Sequence, residues 1–178
     1  MQTPKIDPLA ELDGLTRALD AYDRLRAHLG AREHVAAPEV SGWSVAQHLF
    51  HIALATDLAL RHVRSLLDGK GRLVTQEGAL GERAAAVLTS ERTQRGVAHA
   101  PRIVQPGADV NPEFLTNELR GARAGADALR ARAAEVSAAP GWIPHQELGT
   151  LNAAQWLRFA RLHAHHHLAI AEEVAARV

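Results

Sequence analysis

Two histidines, His163 and His167, stand four residues apart in a segment of helical periodicity. At 3.6 residues per turn that spacing puts both imidazoles on one face, one turn apart, which is how a helix offers two nitrogens to a single metal ion. A third histidine, His51, interrupts the most apolar run of the chain, Leu49–Leu60. A neutral imidazole inside a dry core needs a polar partner, and shared coordination to one cation would satisfy all three. The bland reading is that each is a core histidine hydrogen-bonded separately, since spacing alone does not show that His51 faces the other pair.

The remaining histidines divide by position. His48 lies one turn before His51 and reads as a ligand, a donor behind a ligand or a staple residue at the helix start, with the last two favoured. His166 adjoins the ligand face and suits a supporting role, whereas His165 points to the rim. His145, in Ile143-Pro144-His145, precedes the last helix and could stand at a pocket mouth. His28, His34, His62 and His99 carry no assigned chemistry. His48 and His166 are the candidates for proton transfer, because Asp57 falls on another face of its helix and Glu172 and Glu173 lie beyond the ligands.

Four helical patterns must position these groups, and no strand-like alternation competes with them. The first runs from Pro8 to Leu29, with Asp7 as N-cap and Leu12, Leu15, Leu19, Tyr22, Leu25 and Leu29 along one face. The second begins at Ser44, where Ser44 and Gln47 match a capping box and Trp43 is placed as a hydrophobic staple against position 48. It ends at Leu66-Leu67-Asp68-Gly69. The third starts at Asn111-Pro112 and carries Leu115, Leu119, Ala122, Ala126, Leu129, Ala133 and Val136 at bundle-seam spacing up to Ala139-Pro140-Gly141. Beside that seam, Gly121 and Gly125 would allow close helix approach. The fourth starts near Thr150–Asn152 with a second capping box, Asn152 and Gln155, and an inward stripe of Trp156, Ala160, His163, His167, Ile170 and Val174. The expected fold is all-α: one four-helix bundle domain over residues 1–178, with a long, partly irregular connection between helices two and three. Residues 70–110 of that connection are irregular cover or a lid, with a short helix near Leu80–Leu88.

Composition narrows the function. The 178 residues include 20 Lys+Arg and 20 Asp+Glu, a formal charge of zero, and no basic stripe to gather nucleic-acid phosphates. No cysteine is present, so disulfides, thiolate-bound zinc and a protein thiol nucleophile are excluded. The start of the chain has no apolar secretory core and no run long enough to span a bilayer, so the expected location is cytoplasmic. A small-molecule substrate is expected, with no nucleic-acid or membrane partner. The small-residue seam of helix three could serve an internal contact or a homodimer.

The segment Trp43-Ser-Val-Ala-Gln-His-Leu-Phe-His51-Ile resembles the helix-two signature of the DinB/YfiT-like superfamily, in which a Trp-Ser start precedes the first metal histidine by eight residues. The segment from Pro144 through Trp156-Leu-Arg-Phe and then His163-Ala-His-His166-His167-Leu-Ala-Ile170 resembles that superfamily's last helix, with paired ligands four residues apart. Matched position by position, the resemblance selects His51, His163 and His167. It implies a helical bundle holding a divalent ion, most often zinc or nickel, with manganese or iron as further candidates. It also implies a metal-dependent enzyme of the thiol-S-transferase or hydrolase type. With no cysteine in the chain, a sulfur nucleophile would come from a low-molecular-weight thiol cosubstrate. The competing reading is a non-catalytic, metal-stabilised ligand-binding or stress-response module.

Overall fold

The computed structural model describes residues 5–90, 93, 95–96 and 99–178, and its backbone is mostly helical. Four long helices carry the architecture: α1 (Pro8–Leu29), α2 (Val45–Leu67), α4 (Pro112–Arg130) and α6 (Ala153–Ala175). Each start is capped as the sequence predicts. Asp7 accepts from the Leu9 N–H, Asn111 from those of Glu113 and Phe114, and the Ser44/Gln47 and Asn152/Gln155 pairs close complete capping boxes. Pro8 and Pro112 occupy first-turn positions, where a missing N–H costs nothing.

Helices α6 and α4 each pack against both α1 and α2, whereas α1 and α2 meet only slightly. The core therefore fills the space between them with Leu12, Leu15, Leu19 and Tyr22 of α1, Leu49, Ile52 and Leu60 of α2, Leu115 and Leu129 of α4, and Leu157 of α6. Close approach of α4 to α2 depends on Gly125. A Cβ there would lie 3.3 Å from both Leu60 Cδ1 and Arg64 Nη1. Gly121, expected to play the same part, faces open space instead.

The core also takes in an ionic group that joins α1 to α6. Glu11 of α1 is 3% exposed and accepts from Arg158 Nε at 2.9 Å and Arg161 Nε at 2.5 Å, both from α6. Arg158 Nη1 additionally donates to the Leu88 carbonyl of a short helix, α3 (Glu82–Ser90), tying the long connection to α6.

Three features depart from the expected pattern. The third helix is interrupted: α4 stops at Arg130, and a turn leads into the single-turn α5 (Ala133–Val136), which keeps Ala133 and Val136 buried. The short helix begins at Glu82 rather than Leu80, because Leu80 forms a bridge with Gly149. A small hairpin is present where no strand was expected. Strands β1 (Ile143–His145) and β2 (Gly149–Leu151) pair antiparallel, with Ile143 opposite Leu151 and His145 opposite Gly149. Strands of three residues are too short to display alternation. Gly141 leads into the hairpin at φ +89°, where a Cβ would lie 2.9 Å from the Thr75 carbonyl oxygen, so a side chain is barred by both conformation and space. The Trp156 indole N–H donates to the Ile143 carbonyl at 3.2 Å, anchoring the hairpin to the first turn of α6. Among the described residues, no helix is long and apolar enough to cross a membrane.

Candidate metal centre

Packing of α6 against α2 brings His163 and His167 to the face of α2 that carries His51. One ring nitrogen from each of the three lies within 4.8 Å of the others, a grouping able to hold a metal ion. His51 Nε2 and His163 Nε2 stand 3.3 Å apart. Zinc bound to imidazole nitrogen at about 2.0–2.1 Å with tetrahedral angles sets neighbouring nitrogens about 3.4 Å apart. The His51–His163 pair therefore has the spacing of two nitrogens on one cation, and the three-imidazole group is of a kind that can hold a metal ion.

Each ring is also held from behind. His51 Nδ1 donates to the Val104 carbonyl at 2.8 Å, an arrangement that leaves the lone pair on Nε2, toward His163. His167 Nδ1 lies 3.0 Å from His48 Nδ1, and His48 Nε2 lies 2.9 Å from Ser41 Oγ. Aromatic rings fix the orientations: Phe159 stacks on His163 with centroids 5.2 Å apart and planes at 16°, and Trp43 stacks on His167 at 6.1 Å and 22°. Trp43 also meets His48 at 5.4 Å, so the staple anticipated at the start of α2 is a ring contact.

Burial is the main electrostatic influence. It pushes the His163 imidazole well below the ordinary histidine range, helped by the charges that His51 and His166 would carry. His167 is lowered by burial and then by His163 and His51. His51 is lowered by burial, with the hydrogen bond to Val104 opposing. All three rings are thus held neutral near pH 7, the form that ligates.

The other sequence candidates fall at different distances. His48 is 2% exposed and touches His167 directly. His166 is partly buried, with its ring 5.1 Å from that of His167 and nearly perpendicular to it. His145 is one ring removed. Its ring packs on Phe159 at 4.5 Å, and its Nδ1 accepts the N–H groups of Glu147 and Leu148 in the hairpin turn. His165 is exposed and bonded to the Gly14 carbonyl, and His28, His34 and His99 are exposed. Asp57 is engaged on its own helix by Arg61 and Arg64.

Ser41, Phe159 and Val104 are the contributors that sequence reasoning missed. Phe159 could have been found, since it stands one turn before His163 on the ligand stripe. The Val104 contact uses a backbone carbonyl, which leaves no trace in residue type.

A helical fold that gathers three imidazoles between α2 and α6 defines a protein with a candidate metal-binding site. The chain belongs to the DinB superfamily, which it matches over residues 14–171. Neither the comparison with curated proteins nor that with solved structures gave a match.

Proposed function

We propose that this chain is a metal-dependent enzyme of the thiol-S-transferase or hydrolase type, in which His51, His163 and His167 hold a divalent cation. The observation that carries the reading is the 3.3 Å approach of His51 Nε2 to His163 Nε2, with His167 completing the group within 4.8 Å. When bound, such a cation supplies Lewis acidity that favours the ionised form of a water or thiol and polarises an electrophilic oxygen. The protein's own part is to keep three neutral nitrogens aimed at one point and to wall them with Trp43 and Phe159, so that the charge acts in a medium poorer in water. His166, partly buried beside His167, is placed to accept or return a proton at an imidazole nitrogen. The chain has no cysteine, so a thiol nucleophile is a small-molecule cosubstrate.

The test is metal content followed by turnover. Protein loaded with zinc or nickel is assayed against several biological thiols paired with electrophiles, and against activated esters and amides, beside a variant with all three histidines changed to alanine. Equal rates for both proteins would remove the enzymatic reading.

One observation favours a second reading. His51 is 2% exposed and its ring is bonded to the segment that covers it, an enclosure that also suits a metal-stabilised module without turnover. In that case chelation lowers the melting temperature while no catalytic rate is found for it to abolish.

A further inference from the structure

We propose that Ser41 and His48 form a hydrogen-bonded relay that sets the tautomer and ring orientation of His167, making His48 a positioning residue for the metal centre. The inference rests on the reading of His167 as a ligand and adds to it how that ligand is held.

The two Nδ1 atoms of His48 and His167 face each other at 3.0 Å, so a single proton lies between two neutral rings. The chain of contacts then has two senses. In one, Ser41 O–H donates to His48 Nε2 at 2.9 Å, His48 Nδ1–H donates to His167 Nδ1, and neutral His167 keeps its proton on Nε2. That proton blocks the nitrogen remote from His48. In the other, His167 Nδ1–H donates to His48 Nδ1, and His48 Nε2–H donates to Ser41 Oγ. The Nε2 lone pair of His167 is then free, and only this sense makes His167 a ligand through that atom.

Ser41 has a lone pair to receive that donation. Its hydroxyl oxygen already accepts the Trp43 backbone N–H at 3.1 Å, and a second acceptance from His48 Nε2 uses both lone pairs. The same corner, residues 41–43, supplies the Trp43 ring that stacks on His167. One short segment ahead of the α2 N-cap therefore controls both the plane of the ligand ring and, through His48, which nitrogen bears its proton. His48 is 2% exposed, and both of its ring nitrogens are occupied by these two contacts.

The experiment titrates cobalt(II), read by its visible d–d absorption, into wild type, His48→Leu, His48→Asn and Ser41→Ala. Imidazole nitrogen-15 spectra of the zinc-loaded wild type report the tautomer of His167. Removing an orienting partner of a ligating histidine weakens binding by about 10- to 100-fold, and that is the loss expected for His48→Leu. His48→Asn presents an amide oxygen close to the position of Nδ1 and should recover most of it. Ser41→Ala, which removes one hydrogen bond from the relay, should cost about 3- to 10-fold. In the zinc-loaded protein His167 should carry its proton on Nδ1. Cobalt affinity of His48→Leu equal to wild type, an Asn variant no better than Leu, or a His167 proton on Nε2 would each overturn the relay. Should His48→Leu fail to fold, Ser41→Ala and His48→Asn still decide, because wild-type affinity in the first and no binding in the folded second would both contradict it. A wild type that takes up neither cobalt nor zinc overturns the metal centre itself; a wild type that binds, with every variant matching it, overturns the relay alone.

Discussion

His51 Nδ1 and the carbonyl oxygen of Val104 lie 2.8 Å apart, so a residue of the candidate metal centre is bonded directly to the segment that passes over it. That segment is tied down elsewhere by side chains from the scaffold. Gln47 Nε2 donates to the Gly107 carbonyl at 2.9 Å, and Gln146 Nε2 donates to that of His99 at 3.0 Å. A cation on His51 Nε2 requires the proton on Nδ1, the donor that Val104 accepts, so occupancy of the centre and closure of residues 99–110 reinforce one another.

Zinc should therefore protect the covering segment from proteolysis. Arg102 is exposed and adjoins Val104, which makes it a trypsin site that reports opening. Cleavage after Arg102 should slow by up to about tenfold when free zinc stands at ten times its Kd, provided opening releases the ion. Mass spectrometry of timed digests measures this. His51→Ala should abolish the zinc effect, and a zinc effect that persists in that variant would uncouple the segment from the centre.

Glu11 offers a stability test remote from the three histidines. Its carboxylate is enclosed and paired with two guanidinium groups, and Arg158 extends the network to α3. Breaking a buried ion pair by removing one partner typically costs about 3–5 kcal/mol. Glu11→Ala should show that loss in chemical denaturation, and its effect on cobalt affinity should be small. A loss under about 1 kcal/mol would mean that the arginines do not depend on Glu11 for their burial.

What the sequence revealed and what it concealed follow the range of the interactions concerned. Caps at Asp7, Ser44, Asn111 and Asn152 are local, written within three or four residues, and all four form. That His163 and His167 share a helix face was legible from their spacing, whereas the approach of His51 to them was not; only the resemblance to the superfamily's motifs selected all three. The hairpin over residues 143–151 was not legible. Gly149 bridges to Leu80 and the adjoining Trp142 to Thr75, both far away in sequence, and three-residue strands carry no periodicity. Ser41 was equally hidden, because a serine near a turn usually serves its own backbone, and here it also reaches His48 seven residues on.

The two glycines of α4 separate helix propensity from packing. Gly121 is exposed and a Cβ there would meet nothing within 4 Å, so Gly121→Ala should stabilise by about 0.5–1 kcal/mol. Gly125→Ala gains the same propensity but sets its Cβ 3.3 Å from Leu60 and Arg64. Larger residues there must push α4 from α2, so Gly125→Leu should destabilise by about 1–3 kcal/mol. Urea midpoints at fixed m-value read both effects. If Gly125→Leu were neutral, α4 would not depend on glycine for its approach to α2.

The stability of the fold should depend on acid through His145. Burial lowers the pKa of this ring to about 4, with the Glu147 carboxylate opposing. Its neutral Nδ1 accepts the N–H groups of Glu147 and Leu148 at 3.1 and 3.3 Å. An unfolded chain protonates the same ring near the ordinary value of about 6.5. Between those two values the unfolded state binds more protons, so the contribution is complete above pH 6.5 and drains away as the pH falls toward 4. His145→Asn keeps a side-chain acceptor for the turn but does not titrate. The slope of unfolding free energy against pH across this window should therefore be shallower in the variant, by at most about 1.4 kcal/mol per pH unit, the value for one proton. Denaturation in chelator-containing buffers from pH 4.5 to 7 measures the difference; contributions from histidines remote from His145 cancel between the two proteins, and the difference includes its coupling to His62 and His163. Parallel slopes would show that His145 takes up its proton equally in the folded and unfolded states.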